Sequence, residues 1–219
     1  MMKATSVGEG AVLFQLGEVA DEQTHAAICA LDEAIAAADI NGVVEVVPAL
    51  INLLVAFDPI QTDHGAVTAA VQALKPDVAA IRTPQVHRVP VCYDPELCPD
   101  LLEVAKLTNQ SVDAVIAAHL GSEMRVEMYG FSPGYAYLRG LPQSIHLPRK
   151  PAAVRDIPKG SIIISGAQSL ITTLTMPTGW WVIGRSGFDV IESDAPDPFV
   201  FKVGDRVVYE RISRAELGV

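Results

Sequence analysis

Four side chains in the second half of the chain have the chemistry to hold a small polar ligand: Arg149, Arg155, Gln168 and Arg185, set among glycines and prolines. A planar guanidinium grips a carboxylate through two parallel N–H···O bonds. A glutamine amide presents one acceptor and two donors, which match the edge of a lactam, urea or carboxamide. Together they could line one pocket. Each arginine taken alone is more simply read as an exposed or ion-paired residue at a strand end. Gln168, in "SGAQS" between two strand-like runs, must be either paired or exposed. His119 closes an apolar helical pattern, a position that the helix dipole favours for histidine.

Other chemistries find no support. Gly8-Glu9-Gly10 precedes the first strand-like run instead of following one, and no GxxxxGK[ST] occurs, so no nucleotide-phosphate cradle is expected. "GRSG" is one residue short of a nucleophile elbow and lies between strands. The five histidines show no i, i+4 pair of the kind that holds zinc on a helix. Cys29, Cys92 and Cys98 are an odd number without CxxC spacing, which points to buried, reduced thiols and to no metal site.

The stretch "GFSPGYAYLRGLP" stands out, with Arg139 its only charge. Its glycines permit positive φ or close backbone approach, Pro133 stiffens the turn, and Phe131, Tyr135 and Tyr137 offer flat apolar faces. Such a loop suits a pocket wall, a partner-docking edge or a filled barrel corner.

These residues need a scaffold. "GAVLFQLG" reads as a strand, and 21–39 as an Ala-rich helix capped by Asp21. Two β-branched runs and a helix near 62–75, capped by Thr62 or Asp63, follow. With a closing strand, that β-α-β-β-α order predicts a ferredoxin-like α+β domain over residues 1–83. Residues 77–88 are more polar and read as a linker. In 84–219, one strand and two short helices, the second capped by Ser111, lead into a series of short strands. These are "MRVEMYGF", "SIIIS", "LITTLTM", "WWVIG", "FDVIE", "FVFKV" and "RVVYE". Strands in quick succession without helices predict a closed, mainly β barrel, since closure removes sheet edges.

Composition sets the limits. The 219 residues are half hydrophobic, and 16 Lys and Arg against 26 Asp and Glu leave a net charge of −10. That charge argues against nucleic acid and anionic membranes as partners. No stretch reaches the roughly 20 apolar residues of a membrane span, and the first residues lack an apolar signal core. A soluble, cytoplasmic protein is expected.

The ordered motifs "GFSPGYAYL", "LPR", "VRDIPKGS", "SGAQS", "MPTGW", "IGRS" and "VGDRV" resemble a known series. They are similar in order and spacing to those of the 5-oxoprolinase B-subunit family, also called allophanate hydrolase subunit 1 and including KipI-type kinase inhibitors. Upstream, "HLGSEMRVEMYGF" and "GVVEVVPALINLLVAFDP" extend the resemblance over nearly the whole chain.

The resemblance implies an N-terminal α+β domain and a C-terminal cyclophilin-like barrel from the carboxyltransferase group. It also implies a non-autonomous enzyme component that needs a C-type partner subunit and, in the oxoprolinase system, an A-type subunit as well, for ATP-dependent opening of a small lactam, amide or urea-derived substrate. No cofactor is expected on this chain; ATP would bind a partner, and biotin would enter only in a carboxylase system. Carried over by position, Arg149, Gln168, Arg185, Arg155 and His119 become substrate-binding candidates. Phe131, Pro133, Gly134, Tyr135 and Tyr137 become a cleft or partner-docking loop. No catalytic residue is assigned. "PTGW" for PGGW and "SGAQ" for AGGQ place side chains where the family has glycine, which bears on the substrate more than on the fold. The alternative that the resemblance carries is a KipI-type inhibitor docking on a histidine kinase without chemistry. Peptidyl-prolyl isomerase activity would rest on fold alone, which does not transfer function.

Overall fold

The computed structural model describes residues 2–218. They form two compact units: the described residues through Thr83 together with Glu127–Tyr129, and Pro84–Val126 together with the described residues from Gly130 onward.

In the first unit, β1 (Lys3–Val7) and β2 (Ala11–Gln15) form a hairpin, followed by α1 (Glu22–Ala38), β3 (Val43–Pro48), β4 (Asn52–Phe57) and α2 (His64–Ala73). Asp21 caps α1 through Thr24 N–H at 2.8 Å, and Asp63 caps α2 through Ala66 N–H at 2.9 Å. Val12, Phe14, Leu53, Val55 and Phe57 alternate along β2 and β4 and bury against Ile28, Leu31, Ile35, Val67 and Val71 of the two helices. The sheet order is β1-β2-β4-β3, with every pair antiparallel.

This order corrects the ferredoxin-like expectation. The strand that completes the sheet is β1, ahead of the first helix, and not a closing strand after the second. The reason is visible in β1 itself. "KATSV" is an edge strand with four of its five residues exposed, so it has no apolar alternation to announce it.

The second unit contains the expected closed barrel. Its seven strands run β10-β7-β6-β13-β5-β12-β9. In chain order they are β5 (Val86–Cys92), β6 (Glu123–Tyr129), β7 (Ala136–Arg139), β9 (Ser161–Ser165), β10 (Gln168–Ile171), β12 (Trp181–Arg185) and β13 (Arg206–Ile212). The barrel is mixed, because β13 runs parallel to β5. Helices α3 (Leu101–Leu107) and α4 (Val112–Leu120) follow β5, and Ser111 caps α4 as expected. A two-stranded flap of β8 (Val154–Ile157) and β11 (Met176–Thr178) lies outside the barrel ladder, and a short helix, α5 (Arg214–Leu217), follows β13.

Ile157 and Met176 of the flap pack with Ile163, Leu170 and Val182 of the barrel wall, which marks these positions as the wall's outer face. Side chains alternate across a strand, so residues two apart share a face. "FDVIE" and "FVFKV" form no barrel strands. They contribute a single bridge, Ile191 to Phe199, while Val190 and Phe201 bury as loop residues. Apolar content there reflects burial and not ladder pairing. Among the described residues no helix is long and apolar enough to cross a membrane.

Candidate functional site

The barrel's register sorts the candidate side chains. Gln168 pairs with Arg139 of β7 on one side and Ser165 of β9 on the other. Arg185 pairs with Ser161, at the opposite end of β9, and with Cys92. Ser161, Ile163 and Ser165 share a face, so Gln168 and Arg185 both leave the outer surface. They are nevertheless separated by the length of the strand, roughly 13 Å. The structure therefore brings Gln168 together with other candidates and sets Arg185 apart.

At the Gln168 end, direct cross-strand pairing places the Arg139 side chain beside that of Gln168. Tyr137, two residues earlier, shares their face. Its ring lies 6.0 Å from that of Trp180, and the Arg149 guanidinium sits 5.7 Å over Trp180. Neither Arg139 nor Arg149 has an ion-pair partner among the described residues.

The segment carrying Arg149 is clamped. Lys150 Nζ lies 2.6 Å from Asp100, with both side chains largely out of water. The same carboxylate accepts Val182 N–H at 2.7 Å, and Trp181 Nε1 donates to Pro148 O at 2.7 Å. Gly166 N–H, in the β9–β10 turn, donates to Leu147 O at 2.8 Å. Arg149 thus stands over Trp180, while Arg139 and Gln168 pair across the strands on the face that carries Tyr137. Arg139 was legible only as the lone charge of its loop; its register opposite Gln168 was not.

The loop 130–137 extends the Tyr137–Trp180 ring contact. Phe131, Tyr135 and Tyr137 make successive ring contacts at 5.1 and 5.7 Å. Tyr135 is buried, and Phe131 is 73% exposed. Phe131 holds φ of 69°, a left-handed conformation that costs a bulky residue about 1–3 kcal/mol. Hydrogen bonds from Ser132 N–H to Gly130 O, Tyr135 N–H to Ser132 O and Gly130 N–H to Tyr135 O hold it there. Gly134 backs against Ile191 too closely for any side chain. Pro133, next to it, is exposed. The loop is a braced turn presenting one aromatic ring to the outside.

Arg155 is exposed on the flap strand β8, with no ion-pair partner among the described residues, and belongs to neither cluster. His119 lies apart from all of them, fully buried. Its Nδ1 is 2.7 Å from the Tyr93 hydroxyl, and its ring stacks on Tyr209 at 4.1 Å. Tyr209 in turn meets Ser169 Oγ at 3.1 Å. Burial alone drives the His119 pKa down to about 3, so the ring is neutral. The tyrosines around it could not have been inferred from spacing, because Tyr93 follows β5 and Tyr209 comes from β13.

His119 gives a pH prediction. The unfolded chain takes up a proton near pH 6.5, and the folded protein does so only near 3. Stability is therefore intact above 6.5 and falls as pH drops through that window, by up to about 1.4 kcal/mol per unit. Asp32 of α1, pushed up to about 6 by burial and the neighbouring Glu33, acts with the opposite sign. The comparison of wild type with His119→Gln in urea melts at pH 7.5 and 4.5 isolates the histidine. The variant should be less stable at 7.5 and should lose about 2–3 kcal/mol less than wild type on acidification.

The three cysteines are free and buried, and burial pushes Cys98 up to about 12. No cluster of metal-ligating side chains occurs among the described residues.

A mixed closed barrel with amide and guanidinium groups on its outer face, accompanied by an antiparallel α+β unit, defines a two-unit chain of the carboxyltransferase type. The chain belongs to the family described as carboxyltransferase domain, subdomain C and D, whose model matches residues 2–201. It is similar to the 5-oxoprolinase B subunit of Bacillus subtilis (strain 168), 32% identical over 222 residues, 96% of this chain and 92% of the relative. The 5-oxoprolinase B subunit of Escherichia coli O157:H7 is 28% identical over 202 residues, 92% of each chain. The crystal structure of TTHA0988 superposes with a TM-score of 0.84 at 30% identity, over 94% of this chain and 40% of that one. The Kluyveromyces lactis urea amidolyase superposes with a TM-score of 0.78 over 99% of this chain and 15% of that one, and at 14% identity this speaks to fold alone.

Proposed function

We propose that this chain is the B-type subunit of an ATP-dependent 5-oxoprolinase-type complex that opens a small lactam, amide or urea-derived substrate. One observation carries the reading beyond the family. Gln168 lies beside Arg139, which has no ion-pair partner among the described residues, on the barrel face that also carries Tyr137, and 5-oxoproline is a lactam bearing one carboxylate. The amide side chain matches the lactam edge, and Arg149 or Arg139 matches the carboxylate. The relatives, B subunits by name, support a complex of several chains; in the proposed complex a C-type partner completes the site and another component binds ATP. The braced, exposed Phe131 suits a docking anchor, since aromatic side chains dominate interface energetics.

Co-expression with a C-type subunit, size-exclusion chromatography and an ATP-dependent glutamate-release assay after adding an A-type subunit test this reading. A stable complex is expected. Phe131→Ala should lose co-elution without lowering its own melting temperature. Gln168→Ala combined with Arg149→Ala should keep the complex and lower kcat/KM for 5-oxoproline by about 10- to 100-fold. A complex that turns over urea or another amide instead would redirect the substrate, and the absence of any complex would overturn the subunit role.

A further inference from the structure

Arg185 faces its own cavity, of about 260 Å³, at the end of β9 away from Gln168. The guanidinium is half-buried and makes one side-chain hydrogen bond, from Nη1 to Ser161 Oγ at 3.1 Å. No carboxylate of the described residues pairs with it. Burial lowers its pKa, with nearby Cys98 acting in the opposite direction. Lys159 also lines the cavity, but it is engaged by Asp189 at 2.9 Å. Two cations and one anion leave the lining a net charge of +1.

The remaining walls decide what kind of anion fits. Phe188 and Leu217, the latter from α5, are apolar. Ser186 is buried, and its hydroxyl accepts Phe188 N–H at 3.0 Å, which fixes the Phe188 backbone. Backbone bonds from Ser186 N–H to Gly160 O at 2.8 Å and Gly160 N–H to Thr172 O at 2.7 Å brace the opposite rim. The cavity is open to solvent and has room for a small organic acid. A dianion such as phosphate would carry more charge than the lining balances and would leave the apolar walls unused.

We propose that this cavity is a binding subsite for a small organic monocarboxylate, with the Arg185 fork on the carboxylate and the hydrocarbon part against Phe188 and Leu217. It is distinct from the Gln168 cluster, and its occupancy does not depend on the complex described above.

The test is a calorimetric or NMR titration of the full chain, in low-chloride buffer, with acetate, butyrate and phosphate as probes. Butyrate should bind saturably and more tightly than acetate, with phosphate weakest. Arg185→Ala should weaken butyrate binding more than tenfold, and Arg185→Lys severalfold, because it keeps the charge but loses the fork. Leu217→Ala, in the terminal helix where folding is little at risk, should erase the advantage of butyrate over acetate. Asp189→Asn raises the lining from +1 to +2 and should move the preference toward phosphate. Phosphate binding as tightly as butyrate to wild type, butyrate affinity indifferent to Arg185→Ala, or no saturable binding at all would each overturn the proposal. None of these outcomes bears on assembly with a C-type subunit or on the Gln168 variants.

Discussion

Asp205→Ala should cost the barrel unit about 3–5 kcal/mol, enough to leave it largely unfolded or melting well below wild type. The carboxylate is fully buried. Its Oδ1 accepts Gln85 N–H at 2.8 Å, while its Oδ2 accepts Lys202 N–H at 2.9 Å and His87 Nε2–H at 2.9 Å. Its own backbone carbonyl accepts Val126 N–H at 2.8 Å. One side chain therefore ties the segment entering β5 to the turn entering β13, the parallel pair that closes the barrel. Truncation leaves two backbone donors without acceptors, at about 1–3 kcal/mol each. His87→Ala should cost less, because the carboxylate loses one hydrogen bond and keeps both backbone donors. Equilibrium urea unfolding of the two variants checks the ranking; equal losses would place the stabilisation in the histidine instead of the backbone donors.

Gly160→Ala should lower the melting temperature by roughly 6–12 °C, the equivalent of about 3 kcal/mol for a unit of this size. Gly160 has φ of 81°, and a Cβ there would lie 2.3 Å from the carbonyl oxygen of Ser186. The obstacle is backbone, and the hydrogen bonds that brace Gly160 on both sides prevent it from backing away. Gly166→Ala is the internal control. Its φ is 55°, yet nothing lies within 4 Å of the added atom, so only the left-handed conformation, about 1 kcal/mol, is charged against it. Differential scanning calorimetry should show the two alanines well separated; similar shifts would mean that the dihedral, not the collision, sets the cost. Gly160→Ala should also lose carboxylate binding, because the same residue lines the Arg185 cavity.

These effects bear on how the Gln168 cluster and the Arg185 cavity are held. Neither cluster is built by one element. The Gln168 cluster joins β7, β10, the Arg149 segment and Trp180, and it is anchored by the Lys150–Asp100 pair and by the β9–β10 turn. The Arg185 cavity joins the ends of β9 and β12 with α5. Damage to the barrel's closure should therefore reach both, whereas substitutions within either one should leave the other intact.

Much of this is accessible in the order of residues alone. Capping residues Asp21, Asp63 and Ser111 mark helix starts because their short side chains satisfy backbone N–H groups locally. Runs such as "SIIIS" read as strands because β-branched residues buried on both faces leave a continuous apolar signature. The candidate arginines and Gln168 were legible by type, since few side chains can match a carboxylate or an amide edge. The family motifs extended that reading over the chain.

What the chain's own letters could not supply was anything that depends on which strand lies beside which. Strand β1 escaped because an exposed edge has no apolar period. "FDVIE" and "FVFKV" looked like strands because burial in a loop and burial in a ladder leave the same composition. His119 looked available to a ligand, and packing against Tyr93 and Tyr209 removed it from water. Arg149, Gln168 and Arg185 read as one pocket because sequence carries residue type but not register. Local chemistry, set by side-chain type and short-range hydrogen bonding, was determined by the sequence alone. The division of those residues into a Gln168 cluster and a separate Arg185 cavity was decided by β9, whose two ends point the same face at sites about 13 Å apart.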